Sequence, residues 1–381
     1  MMKTADLNLY VFSPGGLSSP LGLVEGITGL IWQELFSDAG TFELWCSLNN
    51  NNLTLLQRNN LLWIGLDSLG VVEIRELSHN EEGLILHIKG RLAESYLDYR
   101  TIFPVFTGSG NLGKILRDLV YNNIVDPEDQ YRRIGDVSIS SDPGQDNLGP
   151  IISYQQTGGS LLTEVSNLCQ AYSLGFRLKF ISPLIKEEFP HLSFTLYQGT
   201  NRGINQNLVN PIIFSSDLDD ILDSTYLDNF SEVRNLAYVA GEDSGVNRVV
   251  VCAGDLRARD IDLRELFIDA RDLQSTQSQG EAIPESEYKK MLGERGNTKL
   301  ENYKAIETFE ASLRNSSSLE HQFGVDFFLG DTVTIYDSRM RVQIDAVVTS
   351  VIYTYDEKGL NVDLVFGYEQ PTLANKLRRR I

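Results

Sequence analysis

The sequence predicts a mainly β chain that carries an α+β insertion and, later, a helical insertion. Three observations point there. The first hundred residues break into short apolar runs separated by turn residues. Between about residues 109 and 172 the apolar spacing changes to a helical period. After Asn235 strand-like alternation returns, interrupted by a charged helical stretch.

Taken in order, Leu7, Leu9 and Val11 alternate with Asn8 and Tyr10. Thr41 to Trp45, Trp63 to Leu66 and Val71 to Ile74 are rich in β-branched and aromatic residues, and Leu84, Leu86 and Ile88 alternate with Ile85, His87 and Lys89. Pro14-Gly15-Gly16, Asn49 to Asn52 and Asn80 to Gly83 punctuate them, as expected of a small barrel or sandwich. Leu112, Ile115, Leu116, Leu119 and Val120 then share one helical face, capped by Ser109 or Asn111 and stopped by Pro127. Residues 126–150 hold Asp-Pro, Asp-Pro-Gly and Gly-Pro and read as a long loop. Leu161, Val165, Leu168, Cys169 and Tyr172 share the face of a second helix, with Gly175 as its C-terminal cap. Strands follow at Phe176–Ile181 and His191–Tyr197. Asn235 to Ala253 is strand-like and residues 274–282 are a polar linker. Pro284 can open a helix reaching about Leu313, interrupted at Gly293 and Gly296. Val333, Ile335 and the alternating run Leu360 to Phe366 are β again. No short repeat stands out, although the two β parts are of similar size.

Composition excludes several classes. The 381 residues carry 33 Lys and Arg against 52 Asp and Glu, a net charge of −19. That argues against wrapping nucleic acid or an anionic membrane. Cys46, Cys169 and Cys252 lie far apart, so neither a disulfide framework nor a CxxC metal site is expected. All three sit in apolar or strand-like runs and read as buried thiols of a reducing compartment. No apolar run is long enough to span a bilayer, and the N-terminal residues lack a signal-peptide pattern.

The motifs with chemical potential are weak. Gly108-Ser109-Gly110-Asn111-Leu112-Gly113-Lys114 spells GxGxxG before a helix and could cradle a pyrophosphate. Ile115 stands where a P-loop needs Ser or Thr, and Pro104 is poor in a preceding central strand. His79, His87, His191 and His321 have no nucleophile setting around them, and His87 is expected on an exposed strand face. Asp217, Asp219, Asp220 and Asp223 lack EF-hand spacing and read as a solvated face. Arg378 to Arg380 form a basic tail. The densest charged group is Arg264, Glu265, Asp269, Arg271 and Asp272, interleaved with Leu263, Leu266, Ile268 and Leu273. It reads either as a subunit contact or as an internal ion-pair cluster.

Gly241-Glu242-Asp243 with Arg248, the run Leu263 to Asp272, Gly324 to Val333 and the closing Val365-Phe366-Gly367 resemble the siphophage tail-hub proteins. These are the baseplate-hub or tail-associated proteins of long non-contractile tails. Gly40 to Leu44 resembles an early strand of the family, and Asp262 departs from its expected glycine. The resemblance implies two β-barrel-like hub domains, a small α+β domain and a helical insertion. The first barrel would comprise residues 1–107 and 212–240, the α+β domain 108–211, and the second barrel 241–371 with its insertion at 281–313. Residues 372–381 would be a short basic tail. It further implies a homotrimeric ring with pseudo-sixfold symmetry in the virion tail, assembled in the host cytoplasm. That ring would contact the distal tail protein ring and other tail-tip or receptor-binding proteins. DNA would meet it only in passage through an acidic channel that the ring closes or gates, in support of host attachment and genome delivery. No catalytic residue, cofactor or metal is implied. The chain ends at Ile381, soon after Gly367, so no hydrolase extension is expected. A nucleotide-binding enzyme using Gly108–Lys114 is the competing reading. A carbohydrate-binding module is a third, for which Trp32, Trp45 and Trp63 look too buried.

Overall fold

A computed structural model describes residues 7–80, 83–182, 189–218, 221–276, 282–313, 321–357 and 359–367. In chain order the strands and helices begin with β1 (Tyr10–Phe12), β2 (Gly22–Leu23), β3 (Ile27–Leu35), β4 (Thr41–Ser47), α1 (Asn50–Leu55), β5 (Leu61–Trp63), β6 (Gly70–Asn80) and β7 (Gly83–Leu92). Next come β8 (Phe106–Asn111), α2 (Leu112–Val120), β9 (Val137–Ile139), β10 (Ile151–Gln156), α3 (Leu161–Ala171), β11 (Gly175–Ile181) and β12 (His191–Tyr197). Then follow β13 (Ile213–Ser215), β14 (Ile221–Asn229), β15 (Leu236–Ala240), β16 (Val250–Gly254), β17 (Glu265–Asp269) and α4 (Glu285–Glu301). The chain closes with β18 (Ile306–Leu313), β19 (Thr332–Asp337), β20 (Val342–Asp356) and β21 (Gly359–Gly367). This is a mainly β protein with few helices, as the sequence predicts.

The chain divides into two units. The first comprises Met1–Leu92, Gln198–Asn229 and Ile306–Ile381, and the second Ala93–Tyr197 and Phe230–Ala305. This partition differs from the boundaries expected from sequence. Residues 306–367 join the first 92 residues because β20 pairs antiparallel with β3, from Ser350↔Leu35 to Tyr355↔Leu30. Residues 241–305 belong to the second unit, where β15 pairs with β16 and β17. Residues 372–381 lie outside the described residues.

The first unit is built around one sheet in the order β14-β18-β21-β20-β3-β4-β7-β6-β5-β1-β2. Its core gathers Trp32, Phe42, Leu44, Leu86 and Ile88, each at most 1% exposed, with Tyr353 and Tyr355 packed against it. Alternation along β4 and β7 puts these side chains on one face, where each contributes about 1.5–3 kcal/mol by leaving water. Gly90 has a steric reason: a Cβ there would meet the Val71 carbonyl oxygen at 1.8 Å and the Phe42 ring at 2.8 Å.

The same strand path occurs twice within this unit. β3-β4-β7-β6-β5 and β14-β18-β21-β20-β19 are both antiparallel throughout. The match extends to single residues. The hairpins close at Asn80↔Gly83 and at Asp356↔Gly359. A bulge follows at corresponding places, between Val72 and Ile74 and between Val348 and Ser350. A second pair of bulges lies between Ile27 and Gly29 and between Ile221 and Asp223. Val72 exchanges backbone bonds with Asn59 and Asn60, and Val348 does so with Gly330 and Asp331. Asn59 (φ 67°) and Gly330 (φ 94°) both hold the left-handed backbone this requires. Phe42 and Phe309, both buried, occupy one position of the repeat. The first positions of the path differ only beyond this frame: β1 pairs antiparallel with β5, whereas β13 pairs parallel with β19.

In the second unit α2 and α3 form where the helical spacing predicts them. Ser160 caps α3 by accepting from the Thr163 N–H. Four expectations are corrected. Residues 126–150 are not a bare loop, because Val137–Ile139 adds a parallel strand to β12. Gly175 opens β11, and Ser173, at φ 53°, takes the left-handed position after α3. The last helix ends at Glu301, and Ile306–Leu313 is a strand held between β14 and β21. α4 runs through both Gly293 and Gly296. At Gly296 the helix lies so close to its sheet that a Cβ would come 2.5 Å from the Ala253 Cβ.

Candidate interaction surface

The charged group of residues 264–272 lies on and beside β17. β15 is central in its sheet, antiparallel to β16 and parallel to β17. One face carries Ala237, Val239, Leu266 and Ile268 against Tyr288, Met291 and Leu292 of α4. The opposite face sets Tyr238 between Cys252 and Phe267. Phe267 is 65% exposed and Val250 51%. Cys252 is exposed, not buried as its strand-like surroundings suggested, because it falls on the face away from α4. Cys46 and Cys169 are buried as expected, and burial pushes the Cys46 thiol up to about 12.

The structure separates the five charged residues into distinct partnerships. Asp269 accepts two hydrogen bonds from Arg271 Nε, both 3.0 Å, and pairs with Arg248 as well. The Arg271 fork, with Arg248 behind it, holds the Asp269 carboxyl down to about 2. Arg248 also lies 6.0 Å from the centre of the Phe267 ring. Glu265 accepts from the Tyr238 hydroxyl at 3.0 Å, which raises the tyrosine's pKa. The Arg264 guanidinium donates to the Phe230 carbonyl at 2.7 Å, and its backbone N–H to Asn235 Oδ1 at 2.9 Å. Asp272 turns the other way. It pairs with Arg295 of α4 at 3.1 Å, and Arg295 also donates to the Gln155 carbonyl and to Gln156 Oε1. Asp272 is thus an internal tie within the second unit, while Glu265, Asp269 and Arg271 rim an exposed apolar strip. Water and salt screen exposed pairs of this kind, so they add little to stability. Arg248, Arg295, Tyr238 and Phe267 were missed as members of this group; alternation around Phe267 was the signal that could have exposed the strip.

The glycine motif is not a phosphate loop. Residues 106–111 form strand β8, paired along its length with β10. The first N–H groups of α2 are already taken, Leu112 by the Pro150 carbonyl at 2.9 Å and Gly113 by the Leu148 carbonyl at 2.8 Å. A Cβ at Gly113 would lie 2.0 Å from the Gln145 carbonyl oxygen, and Lys114 pairs with Asp118. With the first two N–H groups occupied and Lys114 paired, the nucleotide reading loses its support.

His87 is also placed differently from expectation. Its ring stacks on Trp45 at 4.4 Å and meets Glu43 at 3.0 Å and Glu76 at 3.5 Å. Trp32 and Trp63 are buried, and Trp45 is covered by His87, so these three do not form a sugar platform. Asp217 accepts from the Ser338 hydroxyl, Asp223 lies in β14, and Asp219 and Asp220 lie outside the described residues. Among the described residues no His, Cys, Asp or Glu group could hold a metal ion, and no helix is long and apolar enough to cross a membrane. Arg378–Arg380 also lie outside the described residues.

The motifs behind the family resemblance have structural jobs. The Asp331 carboxylate accepts from the Thr200 N–H at 2.6 Å, the Phe328 N–H at 3.0 Å and Arg202 Nε at 2.8 Å. At Gly367 a Cβ would lie 2.2 Å from the Glu307 carbonyl oxygen where β21 meets β18.

Comparison with known proteins bears on the family and the fold. The family model described as Siphovirus ReqiPepy6 Gp37-like protein matches residues 16–368. No curated protein matches the sequence. The fold is similar to that of the prophage MuSo2 43 kDa tail protein from Shewanella oneidensis, with 12% identity and a TM-score of 0.53 over 94% of this chain and 98% of that one. It is similar too to the tail protein from Neisseria meningitidis MC58, at 10% identity and a TM-score of 0.52 over 95% and 96% of the two chains.

Proposed function

The chain belongs to the siphovirus ReqiPepy6 Gp37-like family of phage tail proteins, and from that premise we propose that it is a non-enzymatic hub of the tail tip, working as a homotrimeric ring. One observation carries the trimer: the first unit holds the same strand path twice, register and bulges included. Three such chains present six copies of one β unit, which is what a junction between a sixfold tube and a threefold tip needs. The net charge of −19 supports a lumen that repels DNA phosphates, so that the genome slides through without adhering. In this reading the ring sits against the distal tail protein ring and other tail-tip or receptor-binding proteins, and closes or gates the channel until host attachment. The exposed strip bounded by Glu265, Asp269 and Arg271 serves as a contact to a neighbouring protein.

Light scattering after size exclusion tests the assembly. A trimer weighs 128.4 kDa, three times the chain's 42.8 kDa. That mass is the expected result. A monomer or dimer at micromolar concentration counts against the ring.

A further inference from the structure

The duplicated strand path implies where the ring closes, an inference that rests on the ring reading above. Within the chain the two copies already meet once. β3, the first strand of one copy, pairs with residues 350–355 of β20, the fourth strand of the other. Among the described residues the reciprocal junction is open. β14, the counterpart of β3, pairs only with β18 among the described residues. β6, the counterpart of β20, pairs with β5 only at Val71 and Gly70, so among the described residues one edge of residues 73–79 has no strand against it. A bare edge of this length is a template for another strand.

We propose that β14 of one copy pairs antiparallel with β6 of the next, in the register that β3 and β20 adopt within the chain. Transferring that register through the two repeats sets Asp228 opposite Arg75, Tyr226 opposite Leu77 and Thr225 opposite Ser78. The first two pairs fall on the face that continues the core, since Arg75 and Leu77 lie beside Ile88 and Leu86. Both are chemically complementary: a carboxylate meets a guanidinium and an aromatic ring meets a leucine. Arg75 binds Gln57 Oε1 and the Leu53 carbonyl, while its Nε has no hydrogen-bond partner among the described residues.

Burial shows the same asymmetry. Ile74 and Leu77 are each 55% exposed, whereas their counterparts Ser350 and Tyr353 are covered by the junction made within the chain. The contact is heterologous, with a different surface on each side, so it forms rings when its rotation closes. Each chain brings one finished junction and the two halves of another.

The register can be tested directly. The Phe36 N–H donates to the Thr349 carbonyl, which makes Ile31↔Thr354 a non-hydrogen-bonded pair. Its transferred counterpart, Thr225 opposite Ser78, is therefore the pair whose Cβ atoms approach closely enough for a disulfide. Both residues are exposed and tolerate substitution. In a Cys252→Ser background, Thr225→Cys with Ser78→Cys should give covalent dimers and trimers on non-reducing gels after mild oxidation. Thr225→Cys with Leu77→Cys, which points to the opposite face, should give at least about 10-fold less. In parallel, Arg75→Asp and Asp228→Arg should each dissociate the trimer, and the double reversal should restore it. A native trimer whose cross-linking ignores the register, or whose assembly survives both single reversals, overturns this pairing and leaves the ring standing. A native monomer that does not cross-link overturns both.

Discussion

Replacing Asp331 by alanine strikes the turn that feeds β19. The side chain is 5% exposed and accepts from two backbone N–H groups and from the Arg202 guanidinium, itself 21% exposed. Truncation strands all three donors in a shielded place. Breaking a buried charge pair by removing one partner costs about 3–5 kcal/mol, because the remaining charge is left uncompensated. The stranded N–H groups push toward the upper end of that range. For a unit of this size each kcal/mol lowers the melting temperature by about 2–4 °C, so a fall of roughly 6–20 °C is expected. Asn60 holds the corresponding place in the first copy of the strand path, but its side chain makes one neutral bond, to the Leu55 carbonyl at 2.7 Å. Asn60→Ala should therefore cost only about 1–3 kcal/mol. Differential scanning calorimetry, following the transition of the first unit, reads both variants. A shift below about 2 °C for Asp331→Ala, or a larger one for Asn60→Ala, would refute the reasoning.

Two further outcomes are expected. Asp337 accepts from Arg339 and from the Met340 N–H, and the Arg339 fork holds its carboxyl down to about 2. The unfolded chain therefore takes up a proton that the folded one refuses, so this contribution is complete above about pH 4 and disappears as pH falls toward 2. Asp337→Asn should flatten the melting temperature over that window; an unchanged slope would exclude the carboxylate as its source. Saturating ATP or NAD should leave the melting temperature within about 1 °C, whereas binding at 100 times Kd would add about 2.7 kcal/mol and a visible shift.

The strands read correctly from sequence are those whose alternation is clean. β7 buries Leu86 and Ile88 and turns His87 and Lys89 away; β21 buries Leu364 and Phe366 as its alternation predicts, and Val365 between them as well. β3 was missed because its buried face is mixed: Glu34 is buried beside Trp32, satisfied by the Ser68 hydroxyl at 2.6 Å. β18 was absorbed into the preceding helix because α4 ends on charged residues that do not mark a boundary. Yet Thr308-Phe309-Glu310 repeats Thr41-Phe42-Glu43 at the corresponding strand positions, a legible signal of the duplication. Of the charged group, proximity in sequence was legible and partnership was not. Arg264 and Asp272 flank the same strand, but one binds a backbone carbonyl and the other an arginine from α4.

By itself the sequence determined the β-rich class, the helices α2 and α3, the burial of Trp32, Trp63, Cys46 and Cys169, and the family resemblance. All of these depend on local periodicity or short motifs, which act over a few residues. Only the tertiary structure decided the division into units, the pairing of one copy of the strand path with the other and the closing of the helix terminus at Leu112 and Gly113. Each of these depends on strands and carbonyl groups far apart in the chain: β3 finds β20, and Pro150 and Leu148 reach back to α2. Hydrogen bonds between distant backbones leave no mark on side-chain order, so no local pattern could have announced them.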